Sequence, residues 1–63
     1  MHTFKSLLDQ IEQIARFESL VHLPEKFGDV WVARATVEGH GVDSQGETYL
    51  EAMQNVLKTL LLK

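Results

Sequence analysis

The stretch Val42-Asp-Ser-Gln-Gly-Glu-Thr-Tyr-Leu-Glu-Ala-Met-Gln-Asn-Val-Leu57 predicts a β-strand that stops at Gly46 and passes directly into an α-helix capped by Thr48. Thr48 and Glu51 have the Thr-x-x-Glu spacing of a capping box. In that motif the hydroxyl accepts from the Glu51 amide and the carboxylate reaches back to the Thr48 amide. The helix then carries one apolar stripe with i, i+3, i+4, i+7 spacing: Leu50, Met53, Val56, Leu57, Leu60 and Leu61.

A second strand is predicted just upstream, from Val30 to Glu38. Its odd positions are all apolar, and two of the four are alanine, which lets a helix lie close over the sheet: Trp31, Ala33, Ala35 and Val37. The other face is polar at one end, as in an antiparallel sheet with one wet face. Gly39 and His40 are predicted as the two loop residues of a hairpin, which places Val37 opposite Val42, and the next strand runs from about Gly41 to Glu47.

The first part of the chain predicts a helix from Thr3 to about Ser19, with Thr3 as N-cap. Its apolar face is Phe4, Leu7, Leu8, Ile11, Ile14, Ala15 and Phe17. Pro24 stops any helix before it. Residues 19–23 fit either a last helical turn or a short strand, because periodicity does not separate the two at this length. Residues 24–29 are predicted to form a loop.

Length and composition narrow the class of protein. The chain has 63 residues, 44% of them hydrophobic, which predicts a single small domain over residues 1–63. A domain of this size buries only about 60% of its unfolded surface. The chain has no cysteine, so disulfides and thiolate metal sites do not stabilise it. Self-association, most simply as a homodimer, is therefore expected.

Charge and hydropathy limit the kinds of partner and the location that are expected. The net charge is −3, from nine acidic and six basic residues, which disfavours general nucleic-acid binding and suits a basic protein partner. No apolar run approaches the roughly 20 residues of a membrane span, and the N-terminus has no signal-peptide pattern. Cytoplasmic residence without a membrane partner is expected. The predicted fold is α+β in the order α-β(β)-β-α, a small antiparallel sheet with two helices packed on one face.

The segment from Gly28 to Leu57 resembles the hairpin–helix core of HicB-type antitoxins, and the resemblance covers about half of the chain. The residues that carry it are Val32-Ala33, Gly41, Ser44-Gln45-Gly46-Glu47-Thr48 and Glu51-Ala52-Met53. The resemblance implies a non-enzymatic interaction module that neutralises a basic partner, such as a small RNA-cleaving toxin. The chain departs from the family in starting with a helix, in lacking a proline before the glycine turn, and in having no appended DNA-binding segment.

A second resemblance concerns element order. Helix, strands and helix is the order of the double-stranded-RNA-binding domain, provided that residues 19–23 form the first strand, and the HicB-like core is itself similar to part of that fold. That domain's second helix starts with paired lysines that bind phosphates. Tyr49, Leu50 and Met53 stand there instead, so RNA binding through this helix start is expected to be absent or very weak. A phosphate-mimicking inhibitor of nucleic-acid machinery is a further alternative.

Candidate contact residues for a basic partner are Glu38, His40, Asp43 and Glu47, since acidic side chains steer and select Lys- and Arg-rich surfaces. Trp31 and Leu62 are candidates for a core or dimer interface.

The residues of this chain give little support for a catalytic function. His2, His22 and His40 are scattered, without metal-ligand spacing, so no metal or other cofactor is expected. The carboxylates of Asp43, Glu47 and Glu51 would need a cleft to act as an acid–base pair. Ser44 has no nucleophile motif around it.

Overall fold

The computed structural model describes residues 3–26 and 28–62. In chain order the elements are α1 (Phe4–Glu12), β1 (Arg16–Glu25), β2 (Gly28–Val37), β3 (His40–Gly46) and α2 (Tyr49–Leu61). The strands form one antiparallel sheet in the order β1-β2-β3. The predicted α+β class and the order α-β-β-β-α are confirmed.

The core lies between one face of the sheet and the two helices. Ala33 and Ala35 are fully buried there, and Trp31 and Val37 on the same face are half-buried, as the alternation in β2 predicts. The buried residues are Leu7, Ile11, Ala33, Ala35, Val42, Ala52, Met53, Val56, Leu57 and Leu60. Small side chains on the strand let the large side chains of α2 reach the sheet.

Helix α1 is shorter than predicted. It starts after the N-cap Thr3, whose hydroxyl accepts from the Ser6 amide at 3.1 Å, but it ends at Glu12 and not near Ser19. The Ile14 and Ala15 amides close the helix by donating to the Ile11 carbonyl oxygen. The apolar pattern continues past Glu12, but the following residues gain a ladder of hydrogen bonds with β2, and this pairing overrides local helical periodicity.

Residues 19–23 are strand, and the predicted loop over residues 24–29 is wrong. β1 pairs with β2 from Arg16↔Thr36 to Glu25↔Gly28, so the strands extend to within two residues of each other. Pro24 fits within β1 because β1 is an edge strand, where one row of backbone groups needs no ladder partner. The register shifts between Phe17 and Ser19, which makes a β-bulge at that point.

The β2–β3 turn lies one residue earlier than predicted. Val37 pairs with His40, so the loop residues are Glu38 and Gly39, and their φ values are 52° and 82°. Positive φ at both positions matches the right-handed twist of the flanking strands. As a result, Val42 lies opposite Ala35 and not Val37. The pairing differs from the predicted one by two residues, so each side chain keeps its predicted face.

Of the two hydrogen bonds in the predicted capping box of α2, the structure shows one. The Thr48 hydroxyl accepts from the Glu51 amide at 3.1 Å. Within residues 3–26 and 28–62, no hydrogen bond joins the Glu51 carboxylate to the Thr48 amide, so the reciprocal half of the capping box is missing. Glu51 still lies in the first turn and Lys58 in the last, and both charges interact favourably with the helix dipole. Leu61, predicted on the apolar stripe, is 66% exposed.

Candidate protein-interaction site

Strand β3 is the more regular of the two edges of the sheet, although α2 packs against it. In an antiparallel ladder, every second residue of an edge strand directs its backbone N–H and C=O outward, where another strand can pair with them. The opposite edge, β1, is interrupted by its bulge and by Pro24, which lacks an N–H. β3 has neither feature over His40–Gly46, but the carbonyl of Gln45, on its outward side, already accepts from Asn55 Nδ2 of α2. The outward backbone groups left for another strand are chiefly those of Gly41 and Asp43.

Acidic side chains follow this edge. No Lys or Arg occurs between Arg34 and Lys58, whereas the same stretch holds four acids: Glu38, Asp43, Glu47 and Glu51. Glu38 lies in the turn before β3, Asp43 lies within the strand, and Glu47 follows its end, and all three are exposed. The structure therefore places the predicted acidic contact residues along one edge of the sheet. His40, the first residue of β3, is exposed beside the turn.

One acid is partly compensated within the chain. Asp43 lies opposite Arg34 on β2, and the Arg34 Nε and Asp43 Oδ1 atoms are 3.7 Å apart. Both side chains are more than half exposed, so this ion pair contributes little to stability and its partners can exchange for others. Glu38 and Glu47 have no ion-pair partner within residues 3–26 and 28–62.

A shallow cleft of about 180 Å³ opens where β3 meets α2. It is lined by Val30, Gln45, Gly46, Glu47 and Glu51. An aliphatic side chain and two carboxylates in one cleft offer contacts to both parts of a Lys or Arg side chain, its apolar stem and its cationic head. The cleft therefore adds a second feature that suits a basic segment lying along β3.

Sequence reasoning missed a row of aromatic rings near the start of the two helices. Phe4 and Tyr49 have ring centroids 6.0 Å apart, Tyr49 and Trp31 are 5.9 Å apart edge-on, and Trp31 stacks on His22 at 4.5 Å. The His22 Nε2 atom also lies 3.2 Å from Asp29 Oδ1. These residues are far apart in sequence, so only the strand pairing His22↔Trp31 and the packing of the helices bring them together.

The two residues proposed for a core or dimer interface lie in different settings. Trp31 packs against the edge of the core within the chain. Leu62, just after α2, is 78% exposed, beside a groove of about 370 Å³. The groove is lined by Leu7, Gln54, Leu57, Lys58, Leu61 and Leu62.

The remaining candidates have structural surroundings. Ser44 Oγ lies 3.2 Å from Thr59 Oγ1, a hydroxyl on α2. His22 and His40 lie at opposite ends of the sheet pairing, and His2 falls outside the described residues. In the described part of the chain, no three His, Asp or Glu side chains converge in a way that would hold a metal ion.

Comparisons with known proteins assign this chain to no family, so the chain is classified by its fold alone. A scan against protein-family models, a search of curated proteins and a search of solved structures each gave no match. The chain is thus described by its class, a three-stranded antiparallel sheet with two helices on one face. Of the two helices described, neither has the length and apolar character needed to cross a bilayer.

Proposed function

We propose that this chain is a non-enzymatic protein-interaction module that binds a basic partner along the outer edge of β3. The partner contributes an extended, Lys- or Arg-rich segment that pairs as an added strand with the first half of β3, before the Gln45 carbonyl that accepts from Asn55. Main-chain hydrogen bonds then supply affinity, and alternate side chains supply specificity. The observation that carries the proposal is the coincidence of a regular edge strand, without bulge or proline, with a 23-residue stretch, residues 35–57, that holds acids and no bases.

The acidic side chains define which strand is accepted. Glu38 and Glu47 flank β3 without an ion-pair partner among the described residues, and Asp43 lies between them. A basic strand places cations against these carboxylates, whereas an acidic strand meets like charges directly opposite, which is destabilising. Electrostatic complementarity of this kind steers association and rejects wrong partners.

The resemblance to HicB-type antitoxins extends the proposal to the natural partner, which would be a small, basic, RNA-cleaving protein in the cytoplasm. In that role the module covers the basic surface that the partner uses to hold RNA phosphates. The residues of the resemblance, from Val32 to Met53, span β2, β3 and the start of α2, the elements that build the acidic edge.

A second candidate function is favoured by element order. Residues 19–23 belong to a strand, so the condition for the α-β-β-β-α order of the double-stranded-RNA-binding domain is met. The charges oppose this function, because the first turn of α2 holds Glu51 and no lysine. Phosphate binding at that position would bring like charges together.

The two candidates are separated by titration with defined probes. The first probes are strand-length peptides of alternating lysine and valine, and of alternating glutamate and valine as the control. The third is a double-stranded RNA long enough to span two minor grooves, about 16 base pairs. Isothermal titration at about 50 mM and about 200 mM salt gives the affinity and its salt dependence, and amide chemical shifts locate the binding site.

We expect the lysine peptide alone to bind, with lower affinity at higher salt and with shifts concentrated in residues 38–47. RNA binding with a steep salt dependence would replace this proposal with the second candidate. Equal binding of both peptides would show that the acidic side chains do not select the partner. Co-expression with proteins encoded beside this chain, followed by co-purification and an RNA-cleavage assay, tests the toxin-neutralising role.

A further inference from the structure

The face of the sheet that carries no helix has an aliphatic centre. Val21 and Leu23 on β1 pair with Val32 and Val30 on β2, so the four side chains form one block on this open face. Val21 and Leu23 are each 44% exposed, and Val30 and Val32 are half-buried. An apolar patch surrounded by polar residues marks an interaction surface in a small protein.

Polar side chains that border this face have partners within the chain. The Arg34 guanidinium lies by the Asp43 carboxylate, with Nε and Oδ1 3.7 Å apart. The Thr36 hydroxyl donates to Glu18 Oε1 at 2.9 Å. Arg34 and Asp43 offset each other's charge, while Glu18 keeps its charge in its hydrogen bond, so of these border residues only Glu18 adds a net charge to the face.

We propose that this open face is the dimer interface of the protein, and that a second copy of the same chain covers it. In a twofold dimer the same patch meets itself, so a patch must be compatible with its own charges. The apolar block of Val21, Leu23, Val30 and Val32, bordered by the mutually paired Arg34 and Asp43, satisfies this condition.

Pairing of two copies through strand edges is disfavoured at both edges of the sheet. At β3, the outward carbonyl of Gln45 already accepts from Asn55 Nδ2, so an edge-to-edge dimer along this strand would lose that hydrogen bond. At β1, the bulge and Pro24 interrupt the ladder. Two sheets stacked face to face about 10 Å apart avoid both obstacles and produce a four-layer dimer with the helices outside.

The size of the face limits the area that a dimer can bury. A strand of ten residues at about 3.3 Å each, in a sheet of three strands about 4.8 Å apart, makes a face of roughly 33 Å by 14 Å, or about 460 Å². Stable complexes bury about 800 Å² on each partner. The expected dimer is therefore a weak and reversible one.

The experiment is sedimentation equilibrium of the full chain from low micromolar to millimolar concentration. It compares the unchanged protein with a Val21→Lys/Leu23→Lys variant and with the control Leu61→Lys. Leu61 is as apolar and more exposed, but it lies on α2, beside the groove near the end of that helix. Circular dichroism checks that each variant folds, and a milder Val21→Thr/Leu23→Thr variant replaces the lysine variant if it does not.

We expect the unchanged chain to dimerise, the Val21/Leu23 variant to raise the dissociation constant at least about tenfold, and Leu61→Lys to leave it unchanged. Amide shifts that depend on concentration should centre on residues 21, 23, 30 and 32. A chain that stays monomeric at millimolar concentration overturns the proposal, and so does a dimer that Leu61→Lys disrupts and the Val21/Leu23 variant does not.

Discussion

Asn55 Nδ2 donates a hydrogen bond of 2.6 Å to the backbone carbonyl oxygen of Gln45, which ties the middle of α2 to the edge strand β3. One turn further along the helix, the Thr59 hydroxyl donates to the Asn55 carbonyl oxygen at 2.9 Å and lies 3.2 Å from Ser44 Oγ. Two neighbouring residues of β3 are thus held by polar contacts with α2. These contacts keep the proposed binding edge at a fixed position relative to the core.

The Asn55 contact predicts the effect of a nearly isosteric change. Asn55→Asp replaces the amide donor by an oxygen that repels the Gln45 carbonyl, and we expect it to lower the free energy of unfolding by about 1–2 kcal/mol. Gln54→Glu adds the same charge at the neighbouring exposed position and should change it by less than about 0.5 kcal/mol. Urea unfolding of both variants measures the difference, and equal effects would mean that charge and not the hydrogen bond is responsible.

Gly46 marks the close approach between the end of β3 and the start of α2. A Cβ built there collides with the Ala52 amide nitrogen and comes within 2.8 Å of the Glu51 carbonyl carbon, both backbone atoms. Because backbone cannot move aside cheaply, we expect Gly46→Ala to destabilise the fold by about 2 kcal/mol or more. Thermal unfolding is the measurement.

Gly41→Ala is the matched control for that change. Its added Cβ meets only the end of the Arg34 side chain, at 2.7 Å from Nη2, and this side chain is half exposed and able to swing away. The cost should be below about 0.5 kcal/mol. If Gly41→Ala proved as damaging as Gly46→Ala, loss of glycine itself would be the cause.

The N-cap of α2 predicts different effects for the two ends of the half-formed capping box. Thr48→Ala removes the acceptor of the Glu51 amide and should cost about 1 kcal/mol in the free energy of unfolding. Glu51→Gln keeps this bond and loses only a favourable charge in the first turn, worth about 0.3–1 kcal/mol. Thr48→Ser should restore most of the stability, and its failure to do so would assign the loss to the threonine methyl group.

The β2–β3 turn predicts a stabilising substitution. Glu38 has a φ of 52°, a conformation that costs a side chain with a Cβ about 1 kcal/mol unless it is Asn or Asp. Asn-Gly is a preferred pair for this turn, so Glu38→Asn should raise the free energy of unfolding by about 0.5–1 kcal/mol. Chemical denaturation tests this, and an unchanged midpoint would show that the turn is not strained at Glu38.

The proposed binding edge predicts a site-specific effect of charge reversal. Glu47→Lys should weaken binding of the lysine–valine peptide by about threefold or more, because it places a cation beside the cleft at the end of β3. Asp9→Lys on the exposed side of α1 changes the net charge equally and should have a much smaller effect at about 0.15 M salt, where the Debye length is about 8 Å. Titration calorimetry compares them, and equal losses would assign binding to net charge alone.

The candidate site followed from sequence only in part. The composition of residues 35–57 identifies an acidic stretch, and the strand pattern places Glu38, Asp43 and Glu47 on or beside β3. The open face around Val21 and Leu23 did not follow, because residues 19–23 fit helix or strand equally well. The contact of His22 with Trp31 depends on that same strand assignment.

Local features of the chain determined the cap at Thr48, the apolar stripe of α2 and the buried face of β2, because each depends on spacing within a few residues. Tertiary structure decided where α1 ends, that residues 16–25 form a strand, and which residues face each other across the β2–β3 turn. These outcomes depend on hydrogen bonds and packing between segments distant in sequence. A short apolar segment takes the conformation that buries it best against its neighbours, and its own sequence does not contain those neighbours.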